Sequence, residues 1–367
     1  MRLSRLLDSV MYSWKTVLVT IGLLFGLKIW NPYLIENITW SWFDFLHQQH
    51  EIEKVEEIVL VDIDEKSLEK YGQYPWPRDI YADIMLESHY TNSHVFTQLF
   101  KEPDRFDGDA KFAEGLVNRL TVLSAAPTIQ KDTGSAPIVR TSVFGGGEIK
   151  DHIWNFSGIA SPVEMLKQNT YGVGVTVATP SISGTPNFDG TIRSAPLIVS
   201  ANEQIYPSVA LEVLRVFGDH KNYQTRVTPE VGIEWIRMGR AAPIETTPTA
   251  DIQIAYWYEF DRISAADLSE SDLEGKILIW GLTAEGLNNP SSTPVGVMYP
   301  HEVQASVLQS VLQEVRIQQS YYLEWLSLVL LLSVLLGMLV MVYKLPTTFA
   351  GIVGLGVVGF QVGGSLY

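Results

Sequence analysis

The chain is 367 residues long, lacks cysteine and carries a formal net charge of −15. The missing cysteines exclude disulfides, thiolate metal sites and a cysteine nucleophile, and an oxidising compartment poses no folding hazard. The acidity argues against a nucleic-acid partner, which needs a basic face, while an apolar content of 46% supplies a folded core.

Three apolar stretches, 11–34, 321–343 and 347–367, each approach the ~20 residues that a helix needs to cross a bilayer. Arg2, Arg5 and Lys15 flank the first with only Asp8 opposing them, and Lys344 is the only charge between the last two. Because basic residues stay cytoplasmic, the tail 1–10 and the turn 344–346 are expected inside and the domain 35–320 outside. A cleaved signal peptide competes for the first stretch. Lys28, Trp30, Asn31 and Pro32 follow it, however, rather than a small-x-small cleavage pattern, so an uncleaved anchor is expected, with Lys28 snorkelling to the interface. The expected fold class is therefore an α/β extracytoplasmic domain, a mixed sheet with flanking helices, plus α-helical transmembrane segments.

Within the domain, residues 40–57 read as a helical stalk. Residues 57–64, EIVLVDID, read as a buried strand that ends on Asp62 and Asp64. A short helix follows from Ser67 and is closed by Gly72, and after the turn Tyr74-Pro75-Trp76-Pro77 an amphipathic helix starts at Arg78 or Asp79. Strands are expected over 94–100 and 121–127, with a helix over 109–119 between them. The glycine triplet 145–147 lacks the Lys-Ser/Thr pair of a phosphate loop and reads as backbone freedom only. Residues 172–180 and 194–200 are two alternating strands around an Asp189-Gly190 turn, which predicts a hairpin with Asp189 and Arg193 exposed at its tip. Ser208 is the expected N-cap of a helix over 209–217. A strand pair, 231–238 with 252–257, precedes a buried strand, 276–282, and a helix over 302–315.

Taken together, IVLVDIDEKSL, GQYPWPR, NFDGTIRSAPL followed by YPSVALEVL, and KILIWGLTAEGL with STP and HEVQA are similar, in order and spacing over roughly residues 35–320, to the CHASE2 family. The resemblance implies an extracytoplasmic sensor domain of a bacterial membrane receptor, here in the inner (cell) membrane with the large domain periplasmic or extracellular. It also implies cytoplasmic outputs such as histidine kinases, cyclases or phosphodiesterases. This chain departs from the pattern in lacking an acid over Val95-Phe96-Thr97-Gln98-Leu99, in placing Asn288 and Asn289 where an acid is usual, and in having Pro300-His301 before Glu302. Two apolar segments rather than three follow the domain, and the sequence shows no output module, so the chain is expected to act through partner proteins. The other expectation is a structural or scaffold subunit of a membrane assembly that keeps the fold without sensing.

Asp62 and Asp64 sit at a strand's carboxyl end, the usual ligand position of α/β sheets, yet Asp64 as a helix cap and Asp62 as an arginine's partner is the plainer reading. Arg78, held by a Trp-Pro turn, and Arg193 are the candidate partners of these acids or of an anionic ligand. Trp76 and Asp189 complete the ligand-binding candidates. Ser208, His301 and an Asp make up the residue count of a hydrolase, but no Gly-x-Ser-x-Gly elbow is present and no enzymatic activity is expected. His47 and His50 share a helix face without a third ligand, so neither a metal nor a cofactor is expected. Gly356, Gly359 and Gly363 in the last apolar segment, two of them a GxxxG pair, predict close packing against another copy or another membrane protein. The remaining expected partner is a small-molecule ligand of unassigned identity.

Overall fold

The computed structural model describes residues 33–129, 141–177, 181–182, 185–186, 189–271 and 273–314, with Gly22 and Gly26. The chain divides into two compact units, Met1–Gln49 with Gln319–Tyr367, and His50–Gln318. In the first unit α1 spans Tyr33–Gln49, and Trp40 meets Phe43 edge-on at 5.7 Å within it. Among the described residues no helix is long and apolar enough to cross a membrane. Apart from Gly22, Gly26 and the start of α1, the three apolar stretches lie outside the described residues, as do Gly356, Gly359 and Gly363.

The second unit is built on six parallel strands. These are β1 (Glu53–Ile63), β2 (Ser93–Phe96), β3 (Thr121–Thr128), β4 (Gly172–Val175), β5 (Tyr258–Ser264) and β6 (Ile277–Leu282). Their spatial order is β5-β1-β6-β2-β3-β4, and Gly158–Ala160 pairs antiparallel with the end of β3. The stalk predicted over 40–57 stops at Gln49, because Glu53, Lys54 and Val55 pair with Tyr258, Glu259 and Phe260 of β5. Main-chain pairing there extends β1 into a charged stretch that has no apolar pattern.

Among the described residues of the unit the α-helices are α2 (Glu65–Tyr71), α3 (Arg78–Glu87), α4 (Asp109–Val117), α5 (Glu164–Asn169), α6 (Val209–Phe217) and α7 (Pro300–Leu312). Asp64 caps α2 and Gly72 closes it, and the Ser208 hydroxyl accepts the Leu211 N–H at 3.2 Å to cap α6, as the sequence predicts.

Side chains alternate across the strands, so the sheet buries two faces. Val59, Val61, Ile63, Phe96, Leu123 and Trp280 point to one, where Tyr81, Ile84 and Met85 of α3 and Phe112 and Leu116 of α4 cover them. Ile58, Leu60, Val95, Val122 and Ile279 point to the other, beneath Val209 and Val213 of α6 and Val303 and Val307 of α7. Glycines on this second face permit close helix approach. A Cβ on Gly174 would strike the Val209 backbone, and one on Gly281 would occupy the place of the His301 ring.

The predicted hairpin over 172–200 does not form. β4 pairs with β3 in the main sheet, Ser194–Pro196 pairs with Asp251–Gln253, and Ile198–Ala201 pairs with Gln204–Pro207 and Asn155–Phe156. The Asp-Gly turn is present, with Gly190 at φ +71°. The pair predicted between 231–238 and 252–257 is likewise absent, since Gly232–Met238 pairs with Tyr223–Thr228 and Ile244–Glu245. Alternation marks a strand and its buried face, but the neighbour is selected by distant residues that no local pattern encodes.

Candidate functional site

Asp62 and Asp64 stand at the carboxyl end of β1, and the chain turns into α2 directly after Ile63. Asp64 therefore leaves the strand's alternation and becomes a cap. Its Oδ1 accepts from the Ser67 N–H at 2.9 Å and from the hydroxyls of Ser67 and Ser264 at 2.6 and 2.7 Å. Burial would push this carboxyl up, and the hydrogen bonds from Ser67 and Ser264 outweigh it and hold the group below the usual carboxylate range.

Asp62 faces α7. Arg262 of β5 grips it with two bonds, Nε to Oδ2 at 2.9 Å and Nη2 to Oδ1 at 3.0 Å, and His301 Nε2 lies 2.9 Å from Oδ1. Burial again opposes the charge, while the bonds from His301 and Arg262 keep the carboxyl below its ordinary value. Arg262 also pairs through Nη1 with Glu302, whose Oε2 accepts the Tyr299 N–H at 2.6 Å. The network thus ties β1, β5 and the first turn of α7 into a closed set of charges. Asp62 does pair with an arginine, but with Arg262 in place of the expected Arg78 or Arg193. The pairing spans 200 residues, and only the adjacency of β5 to β1 brings the two together.

Arg78 and Trp76 belong to a second place. Arg78 is buried, pairs with Asp109, donates to the Glu102 carbonyl, and lies 5.4 Å from the centre of the Phe100 ring. Trp76 donates its indole N–H to the Gly72 carbonyl at 2.8 Å. Both line a cavity of about 330 Å³ walled by Tyr74, Tyr81, Phe100 and Phe106.

Asp189 and Arg193 bond each other, Nη2 to Oδ2 at 2.8 Å and Nη1 to Oδ1 at 3.2 Å, and Asp189 also accepts the Thr191 N–H at 2.8 Å. Arg193 is only 1% exposed, which overturns its expected place at an exposed hairpin tip. Segment 189–196 is drawn inward by pairing with 251–253, and the arginine goes with it. The six candidates therefore form three separate groups, and the structure gathers no single site from them.

A smaller cavity, about 190 Å³, opens at the carboxyl edge of the sheet between Thr97 after β2, Thr176 after β4, Ile192, Ser291, and Pro300, Val303 and Gln304 of α7. Sequence reasoning missed it because hydroxyls and one amide form no motif. The only available signal was the general rule that α/β ligands sit at strand carboxyl ends. Ser208 and His301 are each engaged elsewhere, with the Leu211 N–H and with Asp62. Among the described residues no three His, Asp or Glu side chains are placed to hold a metal ion.

A parallel sheet covered on both faces, with its cavities at loop and strand ends, defines the class as a doubly covered α/β domain. The chain belongs to the CHASE2 family, since the model of the CHASE2 domain matches residues 16–343. CHASE2 is a family of sensor domains. No curated protein and no solved structure matches the chain.

Proposed function

We propose that the chain is a membrane-anchored sensor that performs no chemistry of its own and acts on partner proteins. In this reading the domain over 35–320 lies outside the bacterial cell membrane, the tail 1–10 and turn 344–346 lie inside, and segments 11–34, 321–343 and 347–367 cross the bilayer. The observation that carries the reading is the family match, which starts inside the first apolar segment and ends with the second, so domain and anchors belong to one pattern. Gly356, Gly359 and Gly363 supply a face on which a partner helix packs. Of the ligand candidates, Trp76 and Arg78 retain access to a cavity, whereas Asp62, Asp64, Asp189 and Arg193 brace the frame.

The second reading, a scaffold subunit, is favoured by one observation: each charged candidate already has its counter-group or hydrogen-bond partner inside the domain. Affinity isolation of the intact protein in mild detergent separates the two. Recovery of a discrete kinase, cyclase or phosphodiesterase supports the sensor. Fixed stoichiometric recovery of a repeating structural assembly, with no ligand-dependent change in melting temperature, replaces it with the scaffold.

A further inference from the structure

The 190 Å³ cavity at the carboxyl edge has an uneven supply of polar groups. The Thr97 hydroxyl donates inward to the Trp280 carbonyl at 2.6 Å and the Thr176 hydroxyl to the Ala125 carbonyl at 3.3 Å, so both oxygens are left to the cavity as acceptors. Gln304 lines the same space and is 6% exposed, yet its amide has no hydrogen-bond partner among the described residues, and neither does the Ser291 hydroxyl. An amide at a cavity wall with no partner keeps its donors and its acceptor available to whatever enters the cavity. Ile192 and Val303 supply an apolar wall opposite these groups.

Among the described residues no ionisable side chain lines the cavity. A charged ligand would lose hydration there with no counter-charge to replace it. The N-terminus of α7 does not alter this, because Glu302 in its first turn already accepts the Tyr299 N–H and is itself paired with Arg262. Compounds whose hydroxyls both donate and accept, and whose C–H surface rests on an apolar wall, match what remains. The volume lies below the roughly 300–1,000 Å³ of drug-sized sites.

We propose that this cavity binds a small uncharged polyhydroxyl compound, a polyol or a sugar no larger than a monosaccharide, and that this compound is the input of the sensor. The proposal rests on the sensor reading above. Val303 and Gln304 stand near the start of α7, the last described helix before residue 319, where the other unit of the chain resumes. Contact with Gln304 therefore acts on that helix directly, and a ligand shifts a conformational equilibrium only through contacts that differ between its states.

The test uses the intact protein in detergent and measures melting temperature and calorimetric binding with glycerol, xylitol, glucose and galactose, against gluconate and glucose 6-phosphate as charged counterparts. At least one neutral compound is expected to bind and raise the melting temperature, with the acids inert. Gln304→Leu is expected to weaken that binding by about tenfold or more, and Thr97→Val, which keeps the shape, to weaken it as well. Binding by the acids alone, binding undiminished in Gln304→Leu, or no response to any neutral compound overturns the proposal. A wild-type response to the neutral compounds that survives in both variants moves the site while leaving the sensor standing. Co-isolation of a signalling enzyme in the absence of any polyol response likewise rejects the ligand class without rejecting the sensor.

Discussion

The two faces of the central sheet are made in different ways. The face under α3 and α4 is aromatic and drawn largely from neighbouring sequence. Tyr81, Phe96, Phe100 and Phe112 meet one another, and Tyr81 and Phe96 meet Trp280, with ring centres 5.1 to 6.1 Å apart. The face under α6 and α7 is aliphatic, has glycines where helices approach, and recruits residues from Val55 to Val311. The first face is held by large side chains that fill space, the second by glycines where α6 and α7 approach. The first therefore tolerates loss of volume poorly, and the second tolerates gain poorly.

The largest expected effect tests the aromatic face. Trp280→Ala removes the ring that touches Tyr81, Phe96 and His94, and a loss of about 3–5 kcal/mol in denaturant unfolding is expected. A loss within 1 kcal/mol would show that the cluster is not the packed core described above.

Two buried groups give the domain opposing responses to pH. His94 is fully buried between the Ser88 hydroxyl and the Trp280 indole N–H, and burial, aided by Arg119, lowers its pKa from 6.5 to about 3. Its contribution is complete above pH 6.5 and is lost as pH falls toward 3. Asp251, held by Thr249 at 2.6 Å and Trp154 at 3.2 Å, is raised by burial from 3.8 to about 6 against those two hydrogen bonds. Its contribution is complete below pH 3.8 and is lost as pH rises through 6. Between about pH 4 and 6 the two slopes oppose, and stability is expected to be nearly flat. Asp251→Asn uncovers the His94 slope, a loss of roughly 2–3 kcal/mol from pH 6 to 4. Unfolding midpoints of that variant that stay level across the window would remove His94 as the acid-labile group.

On the aliphatic face, Gly174→Ala is expected to cost about 1–3 kcal/mol, since its Cβ meets the Val209 backbone, which yields less readily than a side chain. An unchanged melting temperature would mean that α6 moves freely. The smallest effect is Ser208→Ala, at about 1 kcal/mol for loss of the α6 cap. Its value should be the same at pH 5 and pH 7, because a hydroxyl cap does not titrate.

Much of the local structure was legible. The β1 strand, the Asp64 cap, Gly72 at the end of α2, the helix from Arg78 and the Ser208 cap all follow from apolar runs and capping chemistry within a few residues. The site was less legible. Arg262 occupies an edge strand with alternating exposure and bears no motif, so its pairing with Asp62 is invisible until β5 lies against β1. The hairpin over 172–200 failed for the same reason, each strand having the right face and the wrong neighbour.

By itself the sequence determined that this is an acidic, cysteine-free α/β domain between apolar segments, with the order of motifs of the CHASE2 family, because periodicity, caps and composition act over short distances. Only the tertiary structure decided which charges close on one another, that Arg193 is buried, and that two threonines, a serine and an unpartnered glutamine surround one cavity beneath α7. Those outcomes depend on strand order and helix approach, which are set by long-range packing.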